Sequence, residues 1–260
     1  MSKVTDFSWN GIKFSVDIND SDASFWNSFM AENWEPITFA VMRDVLEVGE
    51  TYIDIGSWIG PTILLAATKA GRIQGFEPDP LAFSKLQRNL ELNSYLLGKK
   101  VTIHQAALAD RDGELELVAP DEGGGSTSSI ILREGKNRWT VKTLDAMRIL
   151  SEAGLTAHSL VKMDIEGGEY VAIPRVARLL KEIRPTLYLS LHPFNISGGW
   201  LKKMIMSYKL MRCLRHYSYV FTYYQGKGWI RCTRLETYLH LGLPMRLPLD
   251  GAYVFSDRLI

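Results

Sequence analysis

The chain has 260 residues, enough for one large α/β domain with embellishments, and its 46% hydrophobic and 23% charged content is that of an ordinary globular protein. A formal net charge of +1 provides no global field toward nucleic acid, and no apolar run approaches the ~20 residues of a membrane span. Two isolated cysteines, Cys213 and Cys232, and an opening without an apolar leader point to a reduced, cytoplasmic protein.

Residues 9–18 alternate loosely and read as a hairpin or edge strand, followed by a helical stretch over 23–46 that breaks at Glu35-Pro36, because proline pushes its predecessor out of the helical region. Residues 1–48 are thus expected to cap the domain formed by 49–260. From there a repeating pattern begins: a strand at 51–56, a helix at 61–69, a strand at 72–77, a helix at 80–93 and a strand at 101–108. This alternation predicts parallel βαβ units in a doubly wound, Rossmann-like α/β sheet covered on both faces. Two strand-like segments, 114–118 and 138–143, flank a Gly/Ser patch at 123–129 and suggest a hairpin excursion near the sheet edge. The pattern resumes with a strand at 160–165, a helix at 171–182, a strand at 186–191, a helix at 200–217 and a strand at 219–224. An irregular stretch runs to Pro248, and a final strand is expected at 253–256. The helix at 200–217 is basic and amphipathic; it is read as a crossover helix, with contact to a membrane surface as the alternative.

In open α/β sheets, ligands bind beyond the carboxyl ends of the strands. The first such end carries Asp54-Ile55-Gly56-Ser57-Trp58-Ile59-Gly60, where glycine permits a tight turn and close approach of a ligand, and Asp54 is placed to accept from an ammonium group or the loop itself. The glycine spacing fits neither a dinucleotide fingerprint nor a P-loop, which argues against an oxidoreductase or an NTPase; an ordinary βα turn would share these glycines. Glu77 closes the second strand about 20 residues further on, where an acid can hold both ribose hydroxyls, and Pro78 fixes the turn after it. Small residues at Ala106-Ala107 leave room for a flat base. The fourth strand ends in Asp164-Ile165-Glu166-Gly167-Gly168-Glu169 and the fifth in His192-Pro193. Helix capping accounts for Glu169, but clustering Asp164 and Glu166 at one crevice is costly unless a cation or proton transfer uses them.

These residues together resemble the FkbM family of methyltransferases over residues 35–195: Trp34-Glu35-Pro36, Asp54-Ile55-Gly56 with Gly60, Phe76-Glu77-Pro78 with Asn89 and Asn93, Ala106-Ala107-Leu108, Ser128-Ser129, Thr143-Leu144-Asp145, and Lys162-Met163-Asp164-Ile165-Glu166-Gly167-Gly168-Glu169. The resemblance implies a class I methyltransferase fold with a mostly parallel seven-stranded sheet, S-adenosylmethionine (SAM) as cofactor, and O-methylation of a sugar, glycolipid or secondary metabolite. It assigns SAM contacts to Glu35, Asp54, Gly56, Ser57 and Gly60, and further ones to Glu77, Pro78, Ala107, Asp164 and Glu169. Where the family carries Ala-Asn between the two motif glycines, this chain has Ser57-Trp58, an aromatic able to cover the methionine end or reshape the entrance.

Methyl transfer to an alcohol requires loss of the hydroxyl proton. Two routes fit: His192 as general base with Asp164 and Glu166, or Mg²⁺ or Mn²⁺ held by Asp164, Glu166 and His192. A catalytically silent SAM-binding module and an N-methyltransferase for a small amine are the competing readings. The acceptor is expected to be a small molecule or glycan, with oligomeric state left open.

Overall fold

The computed structural model describes residues 3–119, 124–125, 136–233 and 251–260. Most of the Gly/Ser patch, including Ser128-Ser129, and residues 234–248 of the irregular stretch lie outside them.

The chain opens with a hairpin, β1 (Lys3–Trp9) and β2 (Ile12–Ile18), turned by Asn10-Gly11. Both turn residues have positive φ, 50° and 73°, the arrangement that matches the twist of two antiparallel strands. Helix α1 (Ala23–Met30) follows, then α2 (Pro36–Ala40), which continues as a π-helical turn over Val41–Val45. The break anticipated at Glu35-Pro36 is sharp: Glu35 is left-handed, with φ 42°.

The βα pattern then unfolds as β3 (Thr51–Ile55), α3 (Pro61–Ala66), β4 (Arg72–Phe76), α4 (Pro80–Leu92), α5 (Ser94–Leu97) and β5 (Val101–His104). After β6 (Ala107–Ala109), β7 (Gly113–Ala119) and β8 (Asn137–Asp145) come α6 (Ala146–Glu152), β9 (Leu160–Met163), α7 (Glu169–Ile183), β10 (Thr186–Ser190), α8 (Trp200–Leu214), β11 (Tyr219–Tyr224), β12 (Gly228–Arg231) and β13 (Ala252–Ser256). The main sheet runs β12-β11-β13-β10-β9-β3-β4-β5, parallel from β10 to β5, with β13 inserted antiparallel between β10 and β11. Eight strands therefore replace the expected seven. The extra one, β12, folds back on β11 through a turn in which Gly226 and Gly228 both have positive φ. The single strand expected over 101–108 is divided at Gln105-Ala106. Only β5 stays in the main sheet, whereas β6 joins β8 and β7 in a separate three-stranded sheet.

Alternation along the central strands sorts side chains to two cores. Tyr52, Leu160, Tyr188 and Val254 face one core, shared with Phe14, Trp26, Phe29 and Phe39 of the N-terminal segment and with α3. Ile53, Val161, Leu189 and Phe255 face the other, against α6, α7 and α8. Asn89 on α4 and Asn93 just past its end do a different job: each side-chain oxygen accepts from a backbone N–H of β2, that of Asp17 and of Ser15, both at 2.9 Å. They satisfy the edge of the hairpin and pin it to the βαβ unit.

Candidate active site

The strand ends on one side of the sheet open into a cavity of about 980 Å³, counting its open mouth. Gly56 makes it possible. Its φ is 86°, and a Cβ built there would stand 1.8 Å from the Asp164 carbonyl oxygen, so only glycine lets β3 and β9 end this close together. Ser57 stitches the turn to the next strand: its hydroxyl donates to the Asp54 carbonyl at 3.0 Å and accepts from the Phe76 N–H at 3.1 Å.

At one end of the cavity Glu77 accepts from two backbone N–H groups, Trp58 to Oε2 and Asp79 to Oε1, each at 2.8 Å. Each oxygen keeps a further lone pair, and the side chain lines the cavity with Pro78, Phe76, Ala106, Ala107, Leu108 and Leu117. Burial raises the Glu77 pKa to about 7, with the charge of Asp79 adding to it against the two N–H bonds. Trp58 is left-handed, with φ 47°, and lines the cavity too. Its Nε1 donates to the Gly124 carbonyl at 2.9 Å, and the Gly124 N–H donates to Asp79 Oδ2 at 3.0 Å, so this short segment is strapped beside the Glu77 end. Asp79 caps α4 with its other oxygen, accepting from Leu81 and Ala82 at 2.8 and 3.2 Å.

At the other end His192 is ringed by carboxylates: Glu169 lies 3.4 Å from Nδ1, and Glu166 and Asp164 lie 3.6 and 3.7 Å from Nε2. Burial alone would lower the imidazole pKa, but Glu169, Asp164 and Glu166 outweigh it and raise it to about 9. The three carboxylates thus favour the imidazolium form of His192. Glu169 is fully buried behind it and accepts from the N–H groups of Ile165 and Gly167 at 2.7 and 2.9 Å. Glu166, left-handed with φ 52°, accepts from Asn195 Nδ2 at 2.7 Å, and burial raises its pKa. Donor atoms of Asp164, Glu166 and His192 come within 4.8 Å of one another, a spacing at which they could share one cation. Glu35 also lines the cavity, close enough to Asp164 to feel its charge, which assists burial in raising its pKa to about 7; it accepts from the Thr38 hydroxyl at 3.0 Å.

Of the residues singled out in the sequence, Glu35, Gly56, Ser57, Glu77, Pro78, Ala107, Asp164, Glu166 and His192 share this one cavity. Asp54, Gly60 and Glu169 do not line it. Asp54 is fully buried and accepts from Thr62, with its other oxygen 3.2 Å from the Lys162 ammonium, so within the chain it ties β3 to α3 and β9. Gly60, with φ 92°, caps α3. Sequence reasoning missed Lys162, which donates to the Gly56 carbonyl at 3.0 Å and lies 3.7 Å from Asp164. A lysine inside an apolar strand was the available signal, since a buried ammonium demands partners. Trp34 also lines the cavity without having been assigned a role there.

A model of the methyltransferase FkbM domain matches residues 53–221. No curated protein sequence matches the chain. Among solved structures, a methyltransferase FkbM from Methylobacillus flagellatus KT is 16% identical over 92% of this chain and 55% of its own, with a TM-score of 0.47. The chain thus spans about half the length of that relative. A Streptococcus mutans protein solved with SAH is 9% identical over 84% of this chain and 93% of its own, at a TM-score of 0.44. Fibrillarin of Aeropyrum pernix, solved with natively bound S-adenosyl-L-methionine, is 11% identical over 81% and 72%, at 0.39. With the domain model covering well over half of its residues, and the parallel sheet carrying the motif ends to a single crevice, the chain belongs to the FkbM methyltransferase family.

Proposed function

We propose that the protein is a SAM-dependent methyltransferase that methylates a hydroxyl on a sugar, glycolipid or secondary metabolite. One observation carries the reading: a single cavity joins an acid with free lone pairs and a small-residue slot, at Glu77 and Ala106-Ala107, to the acid–imidazolium cluster of Asp164, Glu166 and His192.

The residues fit the cofactor. Glu77 is held by two backbone donors with its remaining lone pairs available, the chemistry that grips a pair of ribose hydroxyls. Phe76, Ala107 and Leu108 offer an apolar surface for a base in the same cavity. SAM, when bound, supplies a methyl group activated by a sulfonium. The aromatic walls at Trp34 and Trp58 and the acids at Glu35 and Asp164 suit a cation between the two ends.

The remaining task is to place the acceptor oxygen in line, near ~3 Å, and to take its proton. With His192 protonated, a carboxylate of Asp164 or Glu166 receives the proton, and the imidazolium keeps both carboxylates oriented and charge-balanced. Neutral His192 takes over as base at higher pH. The spacing of the three donors admits one further reading, in which Asp164, Glu166 and neutral His192 would hold Mg²⁺ or Mn²⁺, whose charge would lower the acceptor's pKa. Calorimetry with SAM, followed by SAH release against a panel of hydroxylated and amine acceptors, tests the proposal. Binding without turnover on any acceptor would leave a silent binding module. Full activity after exhaustive chelation removes the metal, and methylation of amines alone removes the O-methyl assignment.

A further inference from the structure

Helix α8 carries apolar residues on both of its faces. Its inner face, Ser207, Leu210 and Leu214, is buried against the α7 side of the core. On the outer face Leu201, Ile205, Tyr208 and Arg212, spaced by four, three and four residues, fall in one stripe. Three of these are large apolar side chains in solvent, with Leu201 60%, Ile205 46% and Tyr208 52% exposed, and Trp200 at the helix start is 59% exposed. A crossover helix whose outer face needed only solvent would carry polar residues there.

Phe194 connects the patch to the active site. Phe194, 68% exposed, packs edge-on against His192 at 5.5 Å between ring centroids. The Phe194 carbonyl in turn accepts from Lys203 in the first turn of α8 at 3.4 Å. Along this segment the charge has one sign. Residues 193–218 contain Lys202, Lys203, Lys209, Arg212 and Arg215 and neither Asp nor Glu.

We propose that the outer face of α8, together with Trp200 and Phe194, docks on an anionic lipid bilayer. Indole and phenol rings beside aliphatic side chains suit the headgroup boundary, and flanking cations suit anionic lipid. A second copy of the chain fits poorly, because apposing two such faces brings like charges together. A protein partner fits less well than lipid, because lysine is depleted from protein interfaces. Docked in this way, Phe194 brings the His192 side of the site to the headgroup layer, and a lipid-linked hydroxyl acceptor enters without leaving the bilayer. That last step rests on the methyl-transfer reading, whereas the docking itself does not.

The test is co-sedimentation with vesicles of phosphatidylcholine alone and of equal phosphatidylcholine and phosphatidylglycerol, without any methyl donor. The protein should pellet with the anionic vesicles only, and less so as salt is raised. Leu201→Gln/Ile205→Gln and Lys202→Glu/Lys209→Glu should each weaken binding about tenfold or more, with melting temperature unchanged because all four side chains are exposed or at the helix start. Absence of pelleting by the unaltered protein, or undiminished pelleting of both double variants, overturns the proposal. So does a dimer in sedimentation equilibrium that Leu201→Gln/Ile205→Gln dissolves. Failure in any of these ways leaves SAM binding in solution untouched, so the methyl-transfer reading stands or falls separately.

Discussion

Lys162 and Asp54 are register partners on adjacent parallel strands, and their side chains form an ion pair at 3.2 Å with no more than 4% of either exposed. Burial alone would lower the lysine pKa, but Asp54, Asp164 and Glu35 together raise it, and the ammonium also holds the Gly56 carbonyl. One cation thus ties the glycine turn of β3 to the acidic end of β9.

Removing that cation should be severe. Lys162→Met strands a buried carboxylate, and breaking such a pair costs about 3–5 kcal/mol. Asp54→Asn in the same chain should recover part of the loss, since the orphaned charge disappears with it. Urea unfolding of the two single variants and the double variant measures the coupling. Additive losses would sink the idea that these two residues act as a pair.

Glu77 separates cofactor affinity from stability. Glu77→Gln keeps an oxygen for only one of the N–H groups of Trp58 and Asp79, turns its NH2 toward the other, and should weaken SAM binding by roughly tenfold to a hundredfold with the stability loss of one unmatched donor. Glu77→Ala leaves both donors buried and unmatched, adding a stability loss of roughly 1–3 kcal/mol for each. Calorimetry read beside thermal melts distinguishes the two effects, and unchanged affinity in the Gln variant would remove Glu77 from the cofactor site.

Gly56→Ala meets a backbone oxygen, not a flexible side chain, at a left-handed φ. Strain of about 1–2 kcal/mol from the backbone angle alone adds to displacement of the β9 end. The expected outcome is a large drop in melting temperature and lost SAM binding. A variant that melts and binds like the original would show that β3 and β9 do not end this close together.

His192 makes stability pH-dependent in a defined window. Its folded pKa, about 9, lies above the ordinary histidine value near ~6.5, so its contribution is complete below the latter and fades as pH rises through the former. The stability advantage of the unaltered protein over His192→Gln should shrink steadily across that interval. The imidazole NMR signals should show two bound protons at neutral pH. An imidazole already neutral there would return His192 to the role of resting general base.

Much of this arrangement was legible in the residues. The alternation of strand and helix gave the central sheet, and the placement of Glu77 after a glycine turn gave one end of the cavity. Asp164, Glu166 and His192 converge because successive parallel strands end at the same edge, which is a property of the fold class. What stayed hidden depends on side-chain direction. Asp54 and Lys162 occupy one register level, and nothing in a linear pattern says that they turn toward each other. The strand-like stretch at 101–108 could not show that its end leaves one sheet for another. The eighth strand, short and half exposed, has too few alternating residues to stand out from a loop.

The packing of the N-terminal segment decides where this protein can be cut. A fragment started just before β3 would retain every βα unit yet lose Phe14, Trp26, Phe29 and Phe39, baring Tyr52, Ile63 and Leu64 on the abandoned side. It would also lose Trp34 and Glu35, and with them part of the chamber's lining. Expressed alone, such a piece should precipitate, and co-expression with the missing segment as a separate polypeptide should rescue its solubility. Boundaries for domain dissection, chimeras or circular permutants therefore belong outside the hairpin, ahead of its first strand.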